Sequence, residues 1–350
     1  MSELPQRVQF DNQLFIREET NGTTVHEPDT NTIKFLENVP FNNFMEVNSL
    51  KDATSLLARH EATGSVSRNI ELTRPLRVNW LASLACNLVC VYCYAEDKMD
   101  QKRATAPEIF NTIDELSPLS IAITGGEPLM SPYLIDALRQ FNGKYGLIID
   151  TNGTVKIRDE MLDLLKEANA TVRVTIDATE KNLLNSLRPS RSSHEYEPQK
   201  ILDTITSLGR IGIRTAVHTV ITSQNIAHLD EVGDKLVDMG VKTWQLYPVE
   251  YTHTYRASYP FLRVSKEQID DARSGLENNF GDSIYVRVYD QREATDGGRS
   301  VVLIENNGNI VLDNIGEDSV ETIIPGEDTL GRVMRSLNVP QHTKDYLYQQ

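Results

Sequence analysis

The chain has 350 residues, a formal net charge of −15, 39% hydrophobic and 24% charged residues, which is the balance of an ordinary globular protein. The excess of acidic residues argues against a nucleic-acid partner, which needs a basic face. No apolar run approaches the roughly 18 to 20 residues of a membrane span. The N-terminus lacks the features of a signal peptide, so we expect a cytoplasmic protein with no membrane partner.

Residues 1–75 predict a small α+β unit. The Asn21-Gly22 pair is a strong signal for a turn between two strands. Residues Leu50–His60 have the pattern of a short amphipathic helix. Weak alternation of apolar and polar residues predicts four strands, at Val8–Phe10, Leu14–Ile16, Thr23–Val25 and Thr32–Phe35.

Residues 76–250 repeat a strand-then-helix pattern. The predicted strands are Arg77–Leu84, Ser120–Thr124, Gly146–Thr151, Val172–Asp177, Thr215–Ile221 and Thr243–Pro248. The helices between them include Tyr133–Phe141, Glu160–Ala168, Ile201–Ile211 and Leu229–Met239. This succession predicts an α/β fold, a partial (β/α)6 TIM-like barrel. In such sheets the chemistry gathers at the carboxyl ends of the strands.

Residues 251–350 predict a C-terminal α+β extension. A charged stretch, Lys266–Asn279, has the pattern of a helix. A hairpin is predicted to pair Val301–Glu305 with Asn309–Leu312.

The only three cysteines, Cys86, Cys90 and Cys93, lie within eight residues just after the first strand of the predicted barrel. An odd number so closely spaced does not make a disulfide framework. An iron–sulfur cubane usually has four cysteine ligands. Three thiolates can also hold a cubane, and one iron then stays open for another ligand. A zinc site with a remote histidine, or thiols with no metal, are the alternatives.

A second motif, residues 124–128, ends the next strand. Gly125 and Gly126 let the backbone approach a ligand closely, and the carboxylate of Glu127 can receive an ammonium group. Alone, this motif is also compatible with a simple turn. Its position one strand after the cysteines favours a shared site.

These two motifs resemble those of the radical S-adenosylmethionine (SAM) superfamily. The three cysteines with Tyr92 before the third resemble its cluster-binding signature, and Gly125 to Glu127 resemble its site for the amino group of SAM. The resemblance implies one [4Fe–4S] cluster, SAM as cofactor, and an electron donor such as flavodoxin or ferredoxin. It also implies that SAM is cleaved to a 5′-deoxyadenosyl radical, which removes hydrogen from a substrate.

Other strand ends resemble further cofactor-binding positions of this family. Asn152 follows the third strand, and Thr175 and Asp177 lie on the fourth, where relatives face the methionine carboxylate and ribose of SAM. The alternative interpretation of Asn152, Thr175 and Asp177 is a structural role in a capped turn between a strand and a helix. Arg188 resembles an arginine of peptide-modifying members and could pair with a carboxylate of the cofactor or substrate, but it is also compatible with a solvent-exposed loop.

The last two strands of the predicted barrel carry polar residues on one face. His218 shares a face with Ala216 and Val220, and Tyr247 shares one with Gln245. For His218, a hydrogen-bonded core histidine is one interpretation and a substrate contact in the barrel lumen is the other. We treat His218 and Tyr247 as candidate catalytic residues.

Two peripheral segments favour a peptide substrate. Residues 301–332 resemble the hairpin of the SPASM/twitch extension, but Leu312 and Asp313 stand where its cysteine is expected, so no second cluster is predicted. Residues 22–33 resemble a domain that binds leader peptides by strand addition. We therefore expect a maturase of ribosomally synthesised peptides. The alternatives are an enzyme for a nucleoside, sugar or amino acid, or a glycyl-radical activating enzyme.

Overall fold

The computed structural model describes residues 6–11, 13–27, 32–63, 70–93, 95, 103–192, 194–249, 259–289, 301–313 and 320–346. These residues form two sheets with helices packed against them. No helix in these ranges is long and apolar enough to cross a membrane.

The N-terminal unit is a four-stranded antiparallel meander followed by helices. The strands are β1 (Arg7–Phe10), β2 (Leu14–Glu19), β3 (Gly22–Glu27) and β4 (Thr32–Glu37), and the helices are α1 (Asn42–Met45) and α2 (Leu50–Ala62). All four predicted strands and the predicted helix are present. Phe10, Ile16, Val25 and Leu36 pack with Leu57 of α2, which gives the unit a core of its own.

The second sheet has ten strands in the order β11-β10-β9-β8-β7-β6-β5-β12-β13-β14. Its central strands are β5 (Arg77–Ser83), β6 (Ser120–Gly125), β7 (Gly146–Thr151), β8 (Thr171–Thr175), β9 (Arg214–Ile221) and β10 (Thr243–Pro248). They run parallel to one another and match the six predicted strands, so the predicted α/β class is confirmed. Between them lie α3 (Ala106–Leu116), α4 (Leu134–Phe141), α5 (Asp159–Glu167), α6 (Lys181–Leu187), α7 (Pro198–Arg210) and α8 (Leu229–Asp238).

The last third of the chain extends both edges of this sheet. After α9 (Tyr259–Leu262) and α10 (Lys266–Phe280), strand β11 (Tyr285–Val288) runs parallel to β10. Strand β12 (Val301–Ile304) runs parallel to β5 and pairs with β13 (Ile310–Asp313) in the predicted hairpin. Strand β14 (Val320–Ile323), α11 (Thr329–Ser336) and α12 (Val339–Tyr346) follow. The predicted boundary at residue 250 therefore falls within one continuous sheet.

The two faces of the parallel strands differ in polarity. Alternate residues such as Trp80, Ile123, Val174 and Trp244 are buried in the main hydrophobic core together with residues of the surrounding helices. The residues between them are largely polar. Because side chains alternate along a strand, the apolar set faces the helices and the polar set faces the opposite side of the sheet, which we call the lumen.

The N-terminal sheet packs against the amino ends of the parallel strands. Ile33 and Phe35 of β4 lie in one apolar cluster with Leu76 and Leu119, the residues just before β5 and β6. Arg17 is fully buried there and donates hydrogen bonds to the carbonyls of Pro75 (3.0 Å) and Ser117 (3.4 Å). This places the N-terminal unit at the opposite end of the strands from the cysteines.

Candidate active site

The cysteine loop follows β5 and pairs with the segment that follows α6. The amide of Val89 donates to the carbonyl of Pro189 (2.7 Å), and that of Val91 donates to Leu187 (2.9 Å). Leu88 and Ser190 form an antiparallel bridge. This short ladder fixes the loop at the carboxyl ends of the strands, as predicted for an active site.

The three thiols are partly exposed on this loop. Sγ of Cys86 accepts hydrogen bonds from the amide of Leu88 (3.4 Å) and the side chain of Asn152 (3.8 Å). Burial raises the pKa of Cys90 to about 12, and the nearby cation of Arg188 opposes that rise. N–H donors and a cation favour the thiolate form, but burial is the larger effect at Cys90 and also raises the pKa of Cys86.

The donor set suits an iron–sulfur cluster. Within the described ranges, no group of three His, Cys, Asp or Glu side chains is placed to share a single metal ion. A cubane does not need such convergence, because each of its cysteines binds a different iron. Three thiols on one loop, with N–H donors to Cys86 and the guanidinium of Arg188 beside Cys90, therefore fit the predicted [4Fe–4S] cluster.

The two glycines of the second motif allow the backbone to come close to the cysteine loop. The amide of Gly126 donates to the carbonyl of Ser83 (2.6 Å). A Cβ on Gly125 would lie 2.3 Å from the Ser83 carbonyl oxygen, and one on Gly126 would lie 2.5 Å from that of Ala85. Gly125 also has a φ of +123°, which side-chain-bearing residues rarely adopt. Both glycines thus allow a close approach to the protein backbone, and the approach to a ligand stays a prediction.

Glu127 is completely buried and holds two strand ends together. Its carboxylate accepts hydrogen bonds from the amides of Leu129 (3.0 Å) and Asn152 (2.8 Å) and from the hydroxyl of Thr151 (2.9 Å). Burial raises the pKa of this carboxyl, and the amide donors oppose the rise. A carboxylate has about four acceptor positions, so three protein donors leave about one for an ammonium group.

Arg188 is a buried anchor for the carboxyl ends of β7 and β8. Only 3% of the residue is exposed, so its interpretation as a solvent-exposed loop arginine is wrong. Its guanidinium donates to the carbonyls of Thr175 (2.5 Å) and Asn152 (2.7 Å). It also lies 3.8 Å from the carboxylate of Asp177, and its pairing with a carboxylate of the cofactor or substrate stays a prediction.

Asp177 connects the cysteine loop to the neighbouring strand. One of its oxygens accepts a hydrogen bond from the hydroxyl of Tyr92, and the other accepts from the amide of Val220 (2.8 Å). Burial and the negative charge of Asp177 both raise the pKa of Tyr92, which therefore keeps its proton and serves as the donor. The structure thus brings Tyr92, Asp177 and Arg188 together near Cys90, and Thr175 contributes its backbone carbonyl to Arg188.

Asn152 serves both as a turn cap and as a neighbour of the cysteines. Its side-chain oxygen accepts from the amide of Thr154 (2.8 Å), which is the capped turn of the alternative interpretation. Its side-chain nitrogen donates to Asn87 (2.8 Å), within the cysteine loop, and to Sγ of Cys86. The capped turn is therefore present, and the cofactor-binding role of Asn152 stays a prediction.

The lumen contains a second polar network. Nε2 of His218 lies 2.8 Å from Oε1 of Gln245, whose amide nitrogen donates to the hydroxyl of Tyr289 (3.1 Å). The rings of Tyr247 and Tyr289 are stacked, with centroids 4.7 Å apart. Burial, helped by the positive charge of Arg173, lowers the pKa of His218 to about 3, so this imidazole is neutral.

A buried ion pair lies beside this network. Arg173 binds both oxygens of Asp150, at 2.5 and 2.7 Å. Sequence reasoning did not single out this pair or Tyr289. Tyr289 follows β11, whose alternation runs over only four residues, too few to distinguish a strand from a loop.

A comparison with protein families matches the middle part of the chain. Residues 81–236 match the model of the radical SAM superfamily. These residues are a radical SAM domain. The domain contains the three cysteines, the Gly125 to Glu127 motif, Arg188 and His218, and it ends before Tyr247 and Tyr289.

Two curated relatives resemble the chain in and around this domain. An uncharacterized protein of Methanocaldococcus jannaschii is 33% identical over 175 residues, 45% of this chain and 57% of that protein. The antilisterial bacteriocin subtilosin biosynthesis protein AlbA of Bacillus subtilis is 24% identical over 300 residues, 79% of this chain and 61% of AlbA. The chain therefore spans only about three fifths of the length of these relatives.

A solved structure shares the fold. SuiB of Streptococcus suis, crystallised with its precursor peptide SuiA, superposes with a TM-score of 0.64 over 87% of this chain and 82% of SuiB. The sequences are 14% identical, so this similarity concerns the fold alone.

Proposed function

We propose that this protein is a radical SAM enzyme that removes hydrogen from a ribosomally synthesised peptide during its post-translational modification. The observation that carries the proposal is the cysteine loop of the radical SAM domain. It is fixed by pairing with residues 187–191, and Arg188 of that segment lies beside Cys90.

The residues divide into those that would hold the cluster and those that would support SAM. Cys86, Cys90 and Cys93 would bind three irons of one [4Fe–4S] cluster. When bound, the cluster supplies the electron that splits SAM into methionine and a 5′-deoxyadenosyl radical, which takes hydrogen from the substrate. The unused acceptor position of Glu127 would receive the ammonium group of SAM.

The hydrogen-bonded side chains below the cysteines would position the cofactor-binding backbone. Asp177 and Arg188 tie the ends of β7, β8 and β9 to the cysteine loop, so these elements would keep one geometry through the reaction. Asn152 would orient Cys86. Tyr92, next to Cys93, would line the space where SAM binds.

The lumen would receive the substrate. His218 and Tyr247 lie on adjacent strands, with ring centroids 5.0 Å apart, and both are partly exposed. A neutral imidazole beside two tyrosines offers hydrogen bonds without a fixed charge. We assign these residues to substrate contact, with Tyr289 added as the partner of Tyr247.

A peptide substrate is supported by the extent of the similarity to AlbA. That similarity covers 79% of the chain and therefore continues well outside residues 81–236. The N-terminal antiparallel sheet supplies a unit of the kind that binds an extended peptide by strand addition. The hairpin β12–β13 would be a SPASM/twitch-like extension without a second cluster, since the chain has no cysteine there.

Anaerobic turnover tests the proposal. The reconstituted protein, reduced with dithionite, should release 5′-deoxyadenosine from SAM, and a flavodoxin or ferredoxin should replace dithionite. A precursor peptide encoded beside this protein's gene should change mass in the same reaction. A Cys90→Ala variant should do neither. The enzyme could instead release 5′-deoxyadenosine and modify a nucleoside, sugar or amino acid while it leaves the peptide unchanged. That result would show that the substrate is a small molecule and not a peptide.

A further inference from the structure

A closed ring of hydrogen bonds joins three side chains near the first cysteine: Asn87, Thr154 and Asn152. Nδ2 of Asn87 donates to Oγ1 of Thr154 (2.8 Å), whose hydroxyl donates to Oδ1 of Asn152 (2.7 Å). Nδ2 of Asn152 closes the ring by donating to Oδ1 of Asn87 (2.8 Å). The ring therefore connects the cysteine loop to the buried turn that follows β7.

The partners of Asn152 fix which end of its amide faces the sulfur of Cys86. A side-chain amide can turn over and exchange its nitrogen and oxygen, so its hydrogen-bond partners decide its direction. Oδ1 of Asn152 accepts from both the backbone amide (2.8 Å) and the hydroxyl of Thr154. A turned amide would place N–H groups against that backbone N–H. One N–H of Asn152 donates to Asn87, and Nδ2 also donates to Sγ of Cys86, at 3.8 Å.

Asn87 is itself held in one orientation. Its Nδ2 also donates to the hydroxyl of Tyr196 (2.7 Å). Asn185 fixes Tyr196 in turn, because its side chain accepts from the Tyr196 amide (2.8 Å) and donates to the Tyr196 carbonyl (2.9 Å). Both N–H groups and the oxygen of the Asn87 side chain thus have partners, so this side chain can hold Asn152 in place.

The N–H group of Asn152 favours negative charge on the sulfur of Cys86. Reduction of a [4Fe–4S] cluster adds one electron and makes its sulfurs more negative, and hydrogen bonds to the sulfurs are among the factors that set its reduction potential. The backbone amide of Leu88 also donates to this sulfur (3.4 Å), but any residue other than proline would supply that donor. The donor from Asn152 depends on its side chain.

We propose that the hydrogen bond from Asn152 to Cys86 raises the reduction potential of the cluster. Asn152 would act on the cluster through this bond, and Asn87 and Thr154 would be positioning residues. The electron would come from a reductant of the flavodoxin or ferredoxin class, and no bond would form or break. The inference rests on the proposed function in one respect, since it requires the cluster.

A redox titration of the reconstituted cluster without SAM, followed by EPR, tests this role. Asn152→Ser keeps an oxygen that can accept from the Thr154 amide, but it has no N–H for the sulfur. Its potential should be more negative than that of the wild type. The shift should equal at least about a threefold decrease in the equilibrium constant for reduction, because one hydrogen bond to the sulfur is lost.

Asn152→Asp distinguishes this electrostatic role from a structural one. Aspartate keeps the oxygen that caps the turn, but it replaces the N–H group with a negatively charged acceptor. The potential should therefore shift further in Asn152→Asp than in Asn152→Ser. A purely structural role predicts the opposite order, because aspartate preserves the cap better than serine does.

Thr204→Val is the matched control. The hydroxyl of Thr204 donates to the carbonyl of Gly153 (2.9 Å), so it supports the same turn from outside the ring. The potential of this variant should equal that of the wild type. A shift in Thr204→Val as large as that in Asn152→Ser, or a wild-type potential in Asn152→Ser, would overturn the proposal.

Asn87→Ala tests whether the ring acts through Asn152. This substitution should also make the potential more negative, and it should add little when Asn152→Ser is already present. Shifts that simply add would refute the positioning role of Asn87.

Pulsed EPR of the wild-type protein gives a readout that needs no variant. When asparagine is labelled with 15N only at the side-chain amide, the reduced cluster should show a coupling to 15N, and its absence would refute the hydrogen bond. If the potentials shift as expected but no precursor peptide is modified, this inference stands and the proposed function fails. If the peptide is modified and Asn152→Ser keeps the wild-type potential, only this inference fails.

Discussion

The carboxylate of Glu127 accepts a hydrogen bond of 2.8 Å from the backbone amide of Asn152, and so links the ends of two neighbouring parallel strands. The same carboxylate belongs to the motif that resembles the family's site for the amino group of SAM. One side chain would therefore serve two purposes, structural and cofactor-binding, and substitutions should reveal both.

Replacing Glu127 by alanine should lower both stability and SAM affinity. The change leaves the amides of Leu129 and Asn152 and the hydroxyl of Thr151 without their acceptor, which should cost about 2–4 kcal/mol of unfolding free energy. Urea unfolding and equilibrium dialysis with SAM measure the two effects. Glu160→Gln, at an exposed carboxylate, is the matched control. Wild-type affinity for SAM in a folded Glu127→Ala protein would contradict the ammonium-binding role.

Iron analysis tests the cluster assignment. Anaerobically reconstituted protein should hold about four irons and four sulfides per chain, the content of one cubane. Replacing Cys86, Cys90 and Cys93 together by alanine should remove them, because the sequence contains no other cysteine. About eight irons per chain would show a second cluster and refute the prediction that the C-terminal hairpin binds none.

Arg188→Gln should destabilise the protein by about 3–5 kcal/mol, because it breaks a buried pair and leaves the Asp177 carboxylate without its cation. Adding Asp177→Asn should recover part of that loss, since the uncompensated charge is then removed. A double-mutant cycle from urea unfolding measures the coupling. Strictly additive effects would mean that the two side chains do not interact.

His218 should make the protein less stable in mild acid. Its pKa of about 3 in the folded state lies below the ordinary value of 6.5, so only the unfolded chain gains a proton between these values. The contribution of His218 to the free energy of unfolding is fully present above pH 6.5. It decreases as the pH falls toward 3, by up to about 2 kcal/mol at pH 5. Urea unfolding at pH 7.5 and pH 5 should show a smaller difference for His218→Gln than for the wild type.

The exposed His228 is the control for this pH effect, and His228→Gln should keep the wild-type difference. NMR of the imidazole offers a direct check. A His218 ring that titrates near pH 6.5 in the folded protein would show that burial does not keep it neutral.

The amino-acid sequence by itself determined the fold class and the location of the site. Six strands with buried alternate residues and amphipathic helices between them are properties of consecutive residues, and each appears in the structure where the pattern predicts it. The spacing of Cys86, Cys90 and Cys93 is equally local. One strand later, Gly125 to Glu127 could be related to them because successive parallel strands end at the same edge of a sheet.

Only the tertiary structure decided what the site residues contact. Arg188 was compatible with a solvent-exposed loop, and it is buried because α6 returns the chain to the ends of β7 and β8. Tyr92 and Asp177 lie 85 positions apart, yet they share a hydrogen bond. Tyr289 lies in the lumen because it follows β11. That strand is too short to be recognised from the alternation of apolar and polar residues. Contacts of this kind depend on how distant segments pack, and no pattern of neighbouring residues encodes that packing.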